Sequence, residues 1–364
     1  MSNAFVLESR RVPLLPSESE PRLLSLNGRY IAATVPSRVP FSMSTRHALI
    51  HAESSFLVCP NELIFEDLSH RNYDPLWWFN DQDPCRWGFE STQVIWRRIE
   101  SSKWPDAPSG VFLPPMGNFG HFMFEMLPRL SLLNSLGERR VFTTDRLPTR
   151  FVSLAKQLFP ELTINVVPHA PFFVGKEDTN IVSAPMGRGT NKQLSASLYP
   201  FIELRRRGLI LAGTGSTSGG RKVYVSRGQR GKERRVVENE DEVISLLRDR
   251  GYESIDPSSL DWSEQIRVFS QASEVVGVFG SHMLSCIFMR PASKLIIAFP
   301  PNLALNYQSY IPMLLGVNLF TVSASRTILR EGSAHLDSDL IVNLEALVNA
   351  VEAPAPNPLP PFLA

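Results

Sequence analysis

The chain has 364 residues, of which 43% are hydrophobic and 20% charged, so it can bury substantial apolar surface and is longer than one core usually organises. Its 37 basic and 36 acidic residues leave a formal charge of +1 at pH 7. That balance argues against a nucleic-acid partner and against membrane binding driven by overall charge, so any anion site has to be a local cluster.

The cysteines and the apolar segments exclude further classes. Cys59, Cys85 and Cys286 form no CxxC pair, which predicts neither a zinc site nor a disulfide framework and favours a reducing compartment. The amino terminus contains no apolar stretch of signal-peptide length, and no run of about 18 apolar residues occurs. We therefore expect a cytoplasmic protein or one bound peripherally to the cytoplasmic face of the membrane.

The predicted elements begin irregularly. Residues 1 to about 110 are rich in Pro and aromatic side chains and indicate peripheral strands and loops, with short β-like runs such as residues 94–99. From residue 110, strands and helices alternate in the order SGVFLPP, HFMFEMLPRLSLLNSL, VFTT, RFVSLAKQLF and LTINVV. This alternation predicts an open α/β sheet.

The second half begins after a flexible Gly/Ser-rich stretch at residues 213–220, which we interpret as a junction between domains. Strands and helices then follow in the order KVYVS, NEDEVISLLRDR, YESI, SEQIRVFSQA, EVVGVF, SHMLSCIF and KLIIAF, which predicts a doubly wound parallel sheet. We expect one domain over residues 1–212 and a second over 213–352, with its last helix at about 338–351. A Pro-rich tail follows over 353–364.

The helix after Asn239 has clear terminal signals. Asn239 is a predicted N-cap, with Glu242 three residues on as in a capping box, and the acidic side chains of Glu240 and Asp241 complement the positive end of the helix. Gly251 follows the last turn, as expected at a helix carboxyl terminus.

The first segment that could carry chemistry is GNFGHFMFEMLPRL. On a helix, His121 and Glu125 share one face, and a carboxylate beside an imidazole orients the ring and favours its protonated form. Such a pair can exchange a proton near neutral pH. The alternative is a surface ion pair on an amphipathic helix, and Pro128 is expected to kink or end that helix.

The second segment is a cluster of seven basic side chains: Arg221, Lys222, Arg227, Arg230, Lys232, Arg234 and Arg235. Arg227 follows a predicted strand and would emerge at the carboxyl edge of the sheet, where open α/β folds bind ligands. A guanidinium can pair with two phosphate oxygens, which suits a diphosphate. The alternative is a solvated loop balanced by the acidic run 238–242, and nucleic-acid binding is disfavoured because the patch is short.

The third segment, EVVGVFGSHMLSCIF, turns from a buried strand into a helix through Gly277, Gly280, Ser281 and His282. Its glycines permit close approach of a ligand, and the amides at a helix start can receive a pyrophosphate. A tight turn without a ligand is the alternative. The segment matches neither a dinucleotide fingerprint nor a P-loop, and the chain contains no GxSxG elbow and no HExxH helix.

Together and in this order, the three segments resemble glycosyltransferase family 61, which includes capsular polysaccharide biosynthesis proteins, over about residues 110–300. In that family a His and a Glu precede Leu-Pro, as His121, Glu125, Leu127 and Pro128 do here. A strand that ends in Ser-Arg, with a later Arg and Asn-Glu, is similar to Ser226, Arg227, Arg235, Asn239 and Glu240. The family's Glu-Gln helix and the Val-Val-Gly-x-His-Gly-Ala turn after it are similar to Glu264, Gln265 and residues 275–281 here. In this chain Phe279 and Ser281 replace the usual His and Ala of that turn.

The resemblance implies a GT-B-like architecture, with two Rossmann-like doubly wound α/β domains facing a cleft. Residues 1–212 would form the acceptor side, and residues 213–352 would bind the nucleotide sugar. The implied reaction is inverting, metal-independent transfer from a nucleotide-diphosphate sugar, with a UDP-sugar expected, to a glycan or protein acceptor in polysaccharide or glycoconjugate biosynthesis. The donor is a co-substrate, and no other cofactor is implied.

Taken with the chemistry of the three segments, the resemblance leads us to predict roles for individual residues. His121 and Glu125 would be catalytic. The donor would be held by Arg227, Arg235, Asn239, Glu240, Gly277, Gly280, Ser281 and His282.

Three rival functions stay open at this point. A catalytically inactive relative that binds glycan or nucleotide is suggested by Phe279 in place of the family's His. A sugar-phosphate epimerase, or another α/β enzyme that uses nucleotide sugars, would normally need a bound dinucleotide, whose fingerprint is missing. A nucleic-acid-binding role would require a steep salt dependence of binding, which the near-neutral charge argues against.

Overall fold

The computed structural model describes residues 9–11, 22–27, 29–33, 41–44, 49–52, 57–59, 62–64, 88–90, 93–95, 104–182, 186–188, 194–196, 198–213, 220–227, 236–300, 307–328 and 339–355. The chain forms two compact units, one of residues 1–18 with 36–200 and one of residues 19–35 with 201–364. Both contain parallel strands and helices, which confirms the predicted α/β class.

Numbered along the chain, the described strands are β1 (Ser9–Arg11), β2 (Arg22–Leu26), β3 (Arg29–Ala33), β4 (Phe41–Ser44), β5 (Leu49–His51), β6 (Leu57–Cys59), β7 (Glu62–Ile64), β8 (Gly88–Glu90), β9 (Gln93–Ile95), β10 (Gly110–Phe112), β11 (Arg140–Thr144), β12 (Thr163–Val167), β13 (Phe172–Val174), β14 (Thr179–Val182), β15 (Met186–Arg188), β16 (Leu194–Ala196), β17 (Arg221–Val225), β18 (Tyr252–Ile255), β19 (Ala272–Val278), β20 (Lys294–Phe299), β21 (Asn318–Ile328) and β22 (Asp339–Val342). The described α-helices are α1 (Phe119–His121), α2 (Leu127–Leu136), α3 (Thr149–Leu158), α4 (Tyr199–Leu211), α5 (Glu240–Arg248), α6 (Trp262–Gln271), α7 (Tyr307–Leu314) and α8 (Leu344–Glu352). A π-helical segment spans Phe122–Met126, and 3₁₀ segments span Pro257–Ser259 and Ser281–Phe288.

The first unit is built on a sheet with the order β1-β4-β14-β10-β11-β12. The last four strands of that order run parallel, and β4 and β1 extend the sheet antiparallel. The chain passes from β10 through β11 to β12 on one side and places β14 on the other side of β10. The strand order therefore reverses at β10, and open α/β sheets bind ligands outside the carboxyl ends of their strands at such a reversal.

Aromatic side chains form much of the first unit's core. Phe112 and Phe142, on the paired strands β10 and β11, have ring centroids 5.1 Å apart, and Phe173 of β13 packs beside both. Phe122 stacks on Phe151 of α3 at 4.5 Å. Burial of each such side chain contributes about 1.5–3 kcal/mol, and the stack of Phe122 on Phe151 fixes the helix that follows β10 against α3.

The second unit is built on a sheet with the order β18-β17-β19-β20-β21-β2-β3, with β22 paired to β21. The five strands β18, β17, β19, β20 and β21 run parallel to one another. Numbered along the chain from β17, their order across the sheet is 2-1-3-4-5, which is the flavodoxin-like order. Strand order reverses between β17 and β19. The predicted parallel sheet is therefore confirmed for this unit.

Helices cover opposite faces of the second sheet on either side of that reversal. Val243 and Leu247 of α5 join a buried cluster with Tyr224 and Val276, on the face that α8 also covers. Gly277 points to the other face, where a Cβ would meet Sδ of Met283 in the 3₁₀ segment at 2.2 Å. The connection after β17 therefore lies on one face and the connection after β19 on the other, which opens a crevice at the carboxyl ends of these strands.

The division between the units falls at the start of α4, whereas the sequence suggested a junction after residue 212. Arg205 of α4 donates from Nε to the Ile287 carbonyl at 2.9 Å and from Nη1 to the Leu315 carbonyl at 2.8 Å. Gly208 lies so close to Phe288 that a Cβ there would come within 2.3 Å of the ring. These contacts pack α4 within the second unit. The functions predicted for the two domains stay predictions.

Several predicted elements differ in detail. The strands β2 and β3, expected as peripheral strands within residues 1–212, form the outer edge of the second sheet, and β4 lies within the first. Residues 281–288 form a 3₁₀ segment where an α-helix was expected, and the predicted last helix is preceded by β22. Of the Pro-rich tail, residues 356–364 lie outside the described residues.

Candidate active site

The helix after β10 begins at the carboxyl edge of the first sheet, where strand order reverses. The Asn118 side chain accepts a hydrogen bond from the Gly120 N–H at 2.7 Å, and the Asn118 carbonyl accepts one from the Phe122 N–H at 3.0 Å. This N-cap starts α1 at Phe119 and places His121 in the first turn.

Pro128 does not end this helix, because the chain widens into a π-helical turn over Phe122–Met126 just before it. The Leu127 N–H donates to the Phe122 carbonyl, five residues back. The next helix, α2, then begins with Pro128 at its second residue, a position where a missing N–H is tolerated. Single π-turns within helices are frequent at functional sites, and this one contains Glu125.

His121 and Glu125 form a buried pair within that helix. The distance from Nδ1 of His121 to Oε1 of Glu125 is 2.5 Å. Glu125 is fully buried, and His121 is 8% exposed. This arrangement excludes the surface ion pair that the spacing alone allowed. With Nδ1–H donating to the carboxylate, Nε2 is the nitrogen of the neutral ring that can accept a proton, which is the geometry of a general base oriented by an acid.

Arg129 supports this pair and was not among the predicted site residues. It is fully buried, and its Nε donates to the Glu125 carbonyl at 3.0 Å. Its Nη1 donates to the carbonyl of Val182, the last residue of β14, at 2.7 Å. The sequence signal was an arginine one turn after Glu125 and between Leu127 and Leu130, where a helix buried on that face would enclose a charge.

The second group of predicted residues meets at the reversal between β17 and β19. Val225 and Gly277 are direct partners in these parallel strands, so Arg227 and the turn at Gly280 both follow at the carboxyl edge. Arg227 is half-buried, as are Ser281 and His282 at the start of the 3₁₀ segment. The structure thus brings together the cation and the turn that the sequence singled out. Arg235 lies outside the described residues.

Gly277 and Gly280 differ in whether the fold requires a glycine at that position. Gly277 is required because Met283 occupies the space of a side chain. Gly280 has φ 161 and ψ 169, an extended conformation open to any residue, so its backbone alone does not demand glycine. Phe279 is buried, and its ring lies 5.3 Å from the ring of Phe299. This aromatic pair fills the place where the family resemblance leads one to expect a histidine.

Asn239 and Glu240 already have partners within the fold. The Asn239 amide donates to the Val342 carbonyl and accepts from the Val342 N–H, both at 2.9 Å. The Tyr224 hydroxyl donates to Oε1 of Glu240 at 2.9 Å. Because its side chain is engaged with Val342, Asn239 makes no side-chain cap for α5, contrary to the predicted capping box. A donor-binding role for Asn239 and Glu240 stays a prediction.

A full capping box occurs instead at α6. Asp261 accepts from the Glu264 N–H at 2.8 Å, and Glu264 accepts from the Asp261 N–H at 3.1 Å. The next residue, Gln265, is buried and donates to the Pro257 carbonyl at 2.6 Å. The Glu-Gln pair singled out by the resemblance therefore anchors the helix that leads into β19.

Neither a metal centre nor a membrane span emerges from the parts of the chain that the structure describes. Within them, no group of three or more His, Cys, Asp or Glu residues could hold a metal ion. None of the helices found there is long and apolar enough to cross a membrane.

Parallel α/β sheets with a His–Glu pair at one strand reversal and a cationic turn at another fit the class of α/β glycosyltransferases. The family model described as Glycosyltransferase 61 matches residues 119–296, from the start of α1 into β20. These residues match glycosyltransferase family 61, which indicates that the protein is a glycosyltransferase. A search of the curated proteins finds no match.

Proposed function

We propose that the protein is an inverting, metal-independent glycosyltransferase of GT-B type that uses a UDP-sugar and a glycan or protein acceptor. The observation that carries the proposal is the buried hydrogen bond between His121 and Glu125 at the carboxyl edge of β10. Inverting transfer needs one base to activate the acceptor, and this pair supplies a histidine with a defined basic nitrogen.

In the proposed reaction, Nε2 of His121 takes the proton from the acceptor hydroxyl. The acceptor oxygen attacks the anomeric carbon as the bond from that carbon to the diphosphate breaks, and the electron pair leaves with the nucleoside diphosphate. Glu125 holds the ring in the reactive tautomer and stabilises the imidazolium that forms. The full burial of Glu125 supports this role, because water does not screen its charge.

On the donor side, we assign the diphosphate to the carboxyl edge of β17 and β19. Arg227 and Arg235 would neutralise the leaving group, and the amides of residues 280–282 would hydrogen-bond its oxygens. Support comes from the parallel register of Val225 with Gly277, which brings Arg227 and this turn to one edge of the sheet.

A second candidate is a family member that binds the nucleotide without transferring sugar. The observation that favours it is Phe279, which is buried against Phe299 where the family resemblance leads one to expect a histidine. It predicts nucleotide binding without turnover.

The test has two steps. A thermal-shift panel of UDP, GDP and CMP identifies the nucleotide, because a ligand at about 100 times its Kd adds ~2.7 kcal/mol of stability. UDP-xylose and UDP-N-acetylglucosamine are then offered with a set of methyl glycosides, and NMR of the product gives its anomeric configuration. An inverted product supports the proposal. A retained configuration contradicts it, and UDP binding without any transfer favours the second candidate.

A further inference from the structure

We propose that Arg129 is a positioning residue that selects the reactive tautomer of His121. It does so by attaching the π-helical turn, which contains Glu125, to the end of β14. This inference rests on the proposed function. In that reaction we assign Arg129 no contact with donor or acceptor, and we place its action on Glu125.

The geometry supports the link directly. Arg129 spans two elements, from the Glu125 carbonyl in the π-turn at 3.0 Å to the Val182 carbonyl at the end of β14 at 2.7 Å. Since β14 lies beside β10, this contact crosses the reversal of strand order. Glu125 is therefore held from its backbone by Arg129 while its carboxylate faces His121.

The free-energy cost of burying Arg129 also supports a positioning role. Burying a guanidinium is expensive, and Arg129 is fully buried in a helix whose residues Leu127, Leu130 and Leu133 are buried as well. A π-turn also departs from regular helical bonding, and without a clamp the chain around Glu125 could relax toward an α-helix that displaces its carboxylate. A fixed tie to a strand end prevents that relaxation.

The chain contains a matched control for the loss of a buried arginine. Arg205 of α4 binds two backbone carbonyls in the same manner, from Nε to Ile287 and from Nη1 to Leu315. Those carbonyls precede β20 and β21, so Arg205 lies at the amino edge of the second sheet. Replacing it removes the corresponding hydrogen bonds from Nε and Nη1 to backbone carbonyls, and it leaves the sequence of the turn that holds Glu125 unchanged.

The experiment reads the tautomer itself, so it depends on neither donor nor acceptor. Protein labelled with ¹⁵N at histidine is studied by NMR at alkaline pH, and His121→Ala identifies the signals of His121. Arg129→Met, Arg129→Lys and Arg205→Met are compared with the wild type, and calorimetry with UDP checks the nucleotide site in each.

We expect the wild-type ring to carry its proton on Nδ1. Arg129→Met should shift the ratio of the two tautomers by roughly tenfold or more, as expected when one hydrogen bond to a charged group is lost. Arg129→Lys should lie between the two, and Arg205→Met should match the wild type. If Arg129→Met fails to fold, Arg129→Lys decides the question by the same criterion.

An unchanged tautomer ratio in the Arg129 variants overturns the inference, and so does an equal shift in Arg205→Met. The proposed function fails separately. If His121→Ala retains wild-type turnover with UDP-sugars while the tautomer depends on Arg129, the positioning holds but His121 is not the base.

Discussion

The two strand reversals of this protein differ in how far their side chains are organised in advance. At β10, His121 and Glu125 are buried and hydrogen-bonded, with Arg129 fixing the turn between them. At β17 and β19, Arg227 and Ser281 are half-buried at the edge of the sheet. The difference fits the two proposed tasks, because a base has to be oriented before the reaction whereas an anion site can gain contacts when its ligand binds.

The largest effect should come from removing the proposed base, His121. His121→Ala is expected to lower turnover by about 10²- to 10⁴-fold, because a positioned general base contributes that much, while the affinity for UDP stays unchanged. Initial rates and calorimetry on the same preparation measure both. Glu125→Gln, which keeps shape and removes charge, should cost less. Near-normal turnover of His121→Ala would show that His121 is not the base, and would contradict the division of tasks proposed for the two reversals.

At the reversal between β17 and β19, substitution of Arg227 should change the affinity for UDP. Arg227→Ala should weaken UDP binding by about tenfold or more, the equivalent of ~1.5–3 kcal/mol for one charge-assisted contact. Lys222→Ala is a control of equal charge, since Lys222 lies in β17, the strand that precedes Arg227, but pairs with Glu274 at 3.0 Å. Equal losses of UDP affinity in both variants, measured by calorimetry, would indicate that any nearby positive charge suffices, and would count against a specific contact by Arg227.

The sequence was sufficient where the signals are local. Alternating apolar strands and amphipathic helices predicted the parallel sheet of the second unit, and the position of Arg227 after a strand predicted its place at the carboxyl edge. The spacing of His121 and Glu125 predicted that they share a helix face, although the burial that distinguishes a site from a surface pair came only from the fold.

The sequence was insufficient where partners lie far apart along the chain. Asn239 has the identity of a cap, yet it is bonded to Val342, and no local pattern indicates that partner. Arg129 reaches Val182 in the same way. The strand order, and with it the two reversals, depends on such distant pairings and cannot be inferred from periodicity.

Asn239 offers a test of where the second site ends. Asn239→Ala removes two hydrogen bonds to Val342 and should lower the free energy of unfolding by about 1–3 kcal/mol, measured by urea denaturation. Asn239→Asp keeps the acceptor and should lose less. If UDP affinity falls in Asn239→Ala beyond what the unfolded fraction explains, the residue also contacts the donor as predicted. Unchanged affinity would confine its role to holding α5.

The smallest expected effect concerns Tyr224, whose hydroxyl donates to Glu240 at the start of α5. Tyr224→Phe keeps the packing and should cost about 1 kcal/mol of stability at neutral pH. Burial, and then the nearby charge of Glu240, raise the pKa of Tyr224 well above its ordinary value. A raised pKa in the folded state means that this contribution is full below the ordinary tyrosine value of about 10 and is lost as the pH rises above it. The stability of the wild type should therefore fall more steeply than that of Tyr224→Phe in alkaline solution, and parallel urea midpoints across that range would contradict the assignment.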